Sequence, residues 1–184
     1  MNGHKATLLV IGSCFIATLS VSYAAFHHFF YTRGPQQTTL ARYQSQAIGK
    51  PLPDVNLANF SGEALSDDEL RRGEVILVLL SSECEACFKE GRFLSDIIAK
   101  YDNLRFYGIL VFWSERNISH IDGKFPMQVF FDQDSLLRHG LEVKSVPLKV
   151  FLEDGVIKKI RAGATINSQT EREFVKDLEE LSRN

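Results

Sequence analysis

Two thiols three residues apart, in the run Ser82-Glu83-Cys84-Glu85-Ala86-Cys87, can close into a small disulfide ring and reopen, which is the chemistry of thiol–disulfide exchange. The apolar run Val75 to Leu80 leads into this pair and a helical pattern follows it directly. A helix N-terminus leaves backbone N–H groups unpaired and carries roughly half a positive charge, so a sulfur in the first turn is stabilised as thiolate, the form that attacks disulfides. Cys84 is therefore the candidate nucleophile. Cys87 lies one turn along and deeper in the helix, and is the candidate resolving thiol.

Other uses of a C-x-x-C pair fit less well. A structural zinc site needs two more ligands, and the chain offers only Cys14, inside an apolar segment, and five histidines without a paired spacing. An inert disulfide between neighbouring turns closes so short a loop that it restrains the unfolded chain by roughly 2 kcal/mol or less. No bound cofactor and no metal is needed for exchange.

The elements that must hold these thiols are legible as patterns. Glu74 to Leu80 is too uniformly apolar for a half-exposed strand and reads as a central strand covered on both faces. The helix from Cys84 presents Phe88, Phe93, Leu94, Ile97, Ile98 and Tyr101 on one face and stops at Asp102-Asn103; Gly91 inside it, at a cost of about 1 kcal/mol against Ala, marks a bend or close packing. Leu104 to Phe112 is a second buried strand, parallel to the first. Upstream, Val55, Leu57 and Phe60 before Ser61-Gly62 and Ala64-Leu65 suggest a short hairpin, and Ser66-Asp67-Asp68-Glu69 a capping box for a brief helix ending by Gly73. Downstream come a loop or short helix from Trp113 to Lys124, a strand from Met127 to Phe131, and a short helix from Ser135 to His139. Val146-Pro147 then opens a strand to Leu152, Glu153-Asp154-Gly155 turns, Val156 to Arg161 returns, and Asn167 or Ser168 caps a final helix with Phe174, Val175, Leu178 and Leu181 inward. A proline at the first position of a strand is tolerated there, in either peptide isomer. The sheet is expected to hold four or five strands. His120, His139 and Trp113 read as surface or packing residues.

Residues 1–48 hold Lys5, Arg33 and Arg42 and no acid, so the rest of the chain carries all 23 acidic residues against 18 of the 21 basic ones. That balance argues against nucleic acid as a partner. From Ala6 to Tyr31 there is no charged residue, and the stretch closes on Phe26-His27-His28-Phe29-Phe30-Tyr31, long enough to span a bilayer with aromatics at one interface. The expected layout is a cytoplasmic stub (1–5), a transmembrane anchor (6–31), a linker (32–48) and one α/β domain (49–184). A cleaved signal peptide ending near Ser22-Tyr23-Ala24 is the rival to the anchor. Either places the domain outside the cytoplasm, on the periplasmic side, where cysteine pairs cycle with exported partners.

In this order of elements, strand, C-x-x-C, helix, strand, Val-Pro, strand, Asp-Gly turn, strand and helix, the chain resembles the thioredoxin superfamily. The extra hairpin and the Gly49 to Asp54 lead-in make residues 48–184 similar to the membrane-anchored TlpA/ResA type of extracytoplasmic thiol–disulfide oxidoreductase. Cys84-Glu85-x-Cys87 with Lys89-Glu90 is similar to the pattern of cytochrome c maturation members. The resemblance implies a thioredoxin-like fold, a mixed central sheet with helices on both faces. It also implies Pro147 as the cis-proline loop facing the disulfide, Glu90 as the active-site acid, exported protein disulfides as substrates, and a transmembrane thiol carrier as electron donor. Spacing alone leaves Glu90 either a proton partner of the pair, one i+3 step beyond Cys87, or a solvated surface glutamate. Glu83 stands where the family usually has Trp before the first cysteine, and Ala86 where it often has Pro. Two alternatives are weaker. A peroxiredoxin-like peroxidase usually has Pro-x-x-x-Thr/Ser-x-x-Cys, and Leu77 holds the Pro position although Ser81 fits. Copper carriers on this fold are better known for a longer cysteine spacing with a distant His.

Glu83 and Glu85 oppose the helix dipole at Cys84, so its pKa is expected near that of a free thiol, about 8. The pair is then a reductant, with a potential nearer thioredoxin's roughly −270 mV than DsbA's roughly −120 mV.

Overall fold

A computed structural model of the chain describes residues 46–114, 118, 121 and 123–183. The expected membrane span at 6–31, nearly all of the linker, and His120 lie outside the described residues. Among those described, no helix is long and apolar enough to cross a membrane.

The strands are β1 (Leu57–Asn59), β2 (Glu74–Ser81), β3 (Arg105–Phe112), β4 (Gln128–Asp132), β5 (Leu148–Glu153) and β6 (Val156–Ala162), and the helices are α1 (Asp67–Arg71), α2 (Glu85–Lys100), α3 (Leu136–Gly140) and α4 (Ser168–Leu181). The strands form one mixed sheet in the order β1-β4-β3-β2-β5-β6. β2 is central: it runs parallel to β3, reached through α2, and antiparallel to β5. All six residues from Val75 to Leu80 are fully buried, which is why the run shows no polar alternation.

Six strands exceed the four or five expected. The segment read as a hairpin keeps its turn, with Asn59 N–H donating to Glu63 O and a single bridge between Ala58 and Ala64. Its first arm, however, pairs antiparallel with β4, Leu57 opposite Asp132 and Asn59 opposite Phe130. Burial explains the choice: Leu57 and Ala58 are buried in β1, and Phe130 and Phe131 lie opposite in β4.

Ile76, Val78 and Leu80 of β2, Phe106 and Leu110 of β3 and Phe151 of β5 form one apolar cluster with Leu94 and Ile97 of α2 and Phe174, Leu178 and Leu181 of α4. The alternate residues Val75, Leu77 and Leu79 are equally buried on the opposite face, and Leu70 of α1 and Leu137 of α3, both fully buried, lie outside the first cluster. Gly91 answers to close packing: a Cβ there would stand 2.8 Å from Phe125 Cδ1. Both expected caps are present. Ser66 and Glu69 exchange the two bonds of a capping box, whose hydrogen bonds from Ser66 hold the Glu69 carboxyl below its ordinary range. Asn167 accepts from the backbone N–H groups of Gln169 and Thr170 at the start of α4.

Candidate active site

β2 ends in a register shift against β3 between Leu80 and Ser81, and the chain turns off the sheet through Ser82 and Glu83. Cys84 therefore occupies the N-cap of α2 rather than its first turn, with extended backbone (φ −96°, ψ 104°). That conformation swings Sγ back over the helix end, where it accepts the N–H of Cys87 at 3.1 Å, one of the donors a helix terminus leaves open. The two cysteines form a disulfide with Cα atoms 5.2 Å apart. Cys84 is half-buried, whereas Cys87 is sealed from solvent, so an external reagent meets Cys84 first.

The Val146–Pro147 peptide is cis, and Val146 O lies 3.9 Å from Cys84 Sγ. The loop that the resemblance assigns to Pro147 thus borders the reactive sulfur directly. Gly163, just past the end of β6, donates its N–H to Pro147 O at 2.9 Å.

Glu90 is no surface residue. Its exposure is 0%, on the same helix as Cys87 and one i+3 step beyond it. Both carboxylate oxygens are engaged: Oε1 accepts from Lys149 Nζ at 2.9 Å and Thr165 Oγ1 at 3.0 Å, and Oε2 accepts from the Thr165 N–H. Lys149, its side chain 1% exposed, also donates to Gly163 O at 2.6 Å and sits 5.6 Å from the centroid of the Phe174 ring. Burial lowers the Lys149 pKa, and the attraction of Glu90 opposes this. Sequence reasoning misses Lys149, Gly163 and Thr165. The signal that marks Lys149 is a lone cation within the apolar run Leu148 to Leu152, since a charge in a fully buried strand needs a partner.

Of the two acids flanking Cys84, Glu85 is exposed and bonded to Lys89 at 2.8 Å, and that hydrogen bond lowers its pKa. Its charge acts on the sulfur as half of an ion pair, which weakens the opposition expected from it. The Glu83 backbone N–H donates to Ser81 Oγ at 3.3 Å. An open depression of about 420 Å³ adjoins this turn and is lined in part by Ser82, Glu83, Trp113 and Arg138. Trp113 is 37% exposed and packs edge-on against Phe131, and His139 is exposed. Among the described residues no three His, Cys, Asp or Glu side chains are placed to hold a metal ion.

No family model matches the sequence, and no curated protein matches it. Solved structures do match. A putative protein disulfide isomerase from Bacteroides thetaiotaomicron superposes with a TM-score of 0.62 at 20% identity, covering 74% of this chain and 91% of its own. MTB dsbF, in mixed oxidized and reduced forms, gives 0.60 at 16% identity, covering 71% and 96%. A putative thiol:disulfide interchange protein DsbE from Chlorobium tepidum gives 0.59 at 17% identity, covering 71% and 97%. With a disulfide at the start of α2, a cis-proline against it and this sheet order, the chain has the thioredoxin-like fold.

Proposed function

We propose that this protein is a thiol–disulfide oxidoreductase anchored in a membrane by residues 6–31, its domain on the extracytoplasmic side, reducing disulfides of exported proteins. The observation that carries the reading is the asymmetry of the disulfide, with Cys84 reachable and bordered by Val146 O, and Cys87 sealed beneath it. The thiol–disulfide names borne by the structural neighbours support the same chemistry. The Cys84 thiolate attacks a partner disulfide, forming a Cys84–partner bond and releasing one partner thiolate, which takes a proton from water. Cys87 then loses its proton and attacks Cys84 Sγ, forming the intramolecular disulfide and breaking the Cys84–partner bond, which releases the second partner sulfur as a thiolate that takes a proton from water. The partner gains two electrons and the protein loses two. Glu90 is the acceptor we assign to the Cys87 proton, because Cys87 is closed to solvent and Glu90 is buried on the same helix. A transmembrane thiol carrier returns the protein to the dithiol form. Cytochrome c maturation is the setting suggested by Cys84-Glu85-x-Cys87 with Lys89-Glu90.

Cys87→Ser in the native membrane should accumulate mixed disulfides through Cys84, resolved on non-reducing gels and identified by mass spectrometry. A variant that captures no exported protein defeats the reading.

The direction of exchange has its own test. Glu83→Gln with Glu85→Gln should lower the Cys84 pKa by a fraction of a unit, read from the pH dependence of alkylation. It should also raise the disulfide potential by an amount on the order of 10 mV. A wild-type Cys84 pKa below about 6, or an unmoved double variant, removes the flanking acids as the cause of a reducing poise.

A further inference from the structure

Gly163 to Thr165 is hooked at both ends. At one end the Gly163 N–H donates to Pro147 O at 2.9 Å while Gly163 O accepts from Lys149 Nζ at 2.6 Å. At the other, the Thr165 N–H and Oγ1–H both donate to the Glu90 carboxylate. Lys149 closes the circuit, since its ammonium also bonds Glu90 Oε1. The φ of +85° at Gly163, a region that favours glycine, turns the chain there without strain, and a side chain would meet no obstacle, so conformation rather than space calls for glycine. The result is a continuous set of bonds from α2, the helix that carries Cys87, through a buried ion pair to the backbone of the loop that borders Cys84.

We infer that Lys149 is a positioning residue for protein substrates: with Glu90 as anchor on α2, it holds the Gly163–Thr165 segment and hence the Val146–Pro147 loop at the spacing a partner polypeptide needs to dock beside Cys84. A partner sulfur bonded to Cys84 Sγ lies one bond from an atom that is itself 3.9 Å from Val146 O. The residues flanking that sulfur are therefore laid against the loop. A small disulfide carries no such flanking chain and reaches Sγ without touching it. Loss of the circuit should then separate the two substrate classes, because misplacement on the order of 1 Å costs up to about a hundredfold when binding geometry matters.

This inference rests on the oxidoreductase reading, and the test tells their failures apart. The reduced full-length protein is mixed with oxidised insulin, and separately with bis(2-hydroxyethyl) disulfide, and single-turnover rates are measured for wild type, Lys149→Met and Glu90→Met/Lys149→Met. The double variant removes both charges together, so it leaves no unpaired ion to unfold the domain. The expected result is a ratio of insulin rate to small-disulfide rate about ten- to a hundredfold lower in both variants than in wild type, the loss of Glu90 as proton acceptor slowing both substrates alike and cancelling in the ratio. Equal losses on the two substrates overturn the inference, since Lys149 then acts on the sulfurs or the fold as a whole. An unchanged insulin rate in the double variant overturns it too. A wild-type protein that reduces neither substrate removes the oxidoreductase reading, and the inference with it.

Discussion

Lys149→Met will lower the unfolding free energy of the full-length chain by about 3–5 kcal/mol, the cost of leaving a buried carboxylate without its cation. Glu90→Met/Lys149→Met will recover most of that loss, because two thioethers of similar volume fill the space without an uncompensated charge. Guanidinium chloride titrations followed by the fluorescence of Trp113, the single tryptophan, give both values. Additive losses in the double variant would mean that Glu90 and Lys149 are stabilised by separate surroundings rather than by each other. The pH dependence reports the burial of Lys149, which acts against the attraction of Glu90. Burial lowers the Lys149 pKa in the folded chain, so between that value and the ordinary lysine value the unfolded chain binds more protons and stability rises with pH. Lys149→Met should lack that rise.

Phe174→Ala should cost about 3–5 kcal/mol as well, by a different route. The ring is fully buried, meets Phe93 edge-on with centroids 5.7 Å apart and Phe151 at 5.8 Å, and lies 5.6 Å from Lys149 Nζ. Removing it opens a cavity that the aromatic neighbours cannot fill and admits water beside the ion pair. The effect should therefore fail to add with that of Lys149→Met, by a coupling of about 0.5–3 kcal/mol in a double-mutant cycle. Additivity within about 0.5 kcal/mol would show that the ring and the ammonium do not share an environment.

What the sequence makes legible here is local. Val75 to Leu80 announces a strand buried on both faces because six apolar residues stand in a row. Asn167-Ser168 announces a helix start because either side chain can cap the residues next to it, and Gly91 announces a bend or close packing because glycine inside a helix costs about 1 kcal/mol against Ala. The pairing of β1 with β4 joins residues more than seventy positions apart, and the Glu90–Lys149 bond spans 59, distances at which no periodicity speaks. Glu90 shows the limit well. Its helical position put it on a face adjoining Cys87, but whether that face met water or protein depended on the strand that supplied Lys149. The cap position of Cys84 turned on the bulge at Leu80/Ser81, which the apolar pattern of β2 does not register.

The outer side of β6 is where a sheet of this kind would invite stray chains, and here it is already occupied. Gly49 N–H bonds Ile157 O at 2.7 Å, Ile157 N–H bonds Lys50 O at 2.9 Å, and Leu52 N–H bonds Gly155 O at 2.7 Å, so the domain's own leading segment lies along the start of the strand. Lys158, Lys159 and Arg161 follow on the remainder, and the opposite border, β1, is three residues long. An open border would otherwise offer an extended polypeptide a template for strand addition, the usual route to aggregation by edge pairing. With the start of β6 covered by the chain's own segment and β1 only three residues long, both borders of the sheet present little main chain for another strand to pair with.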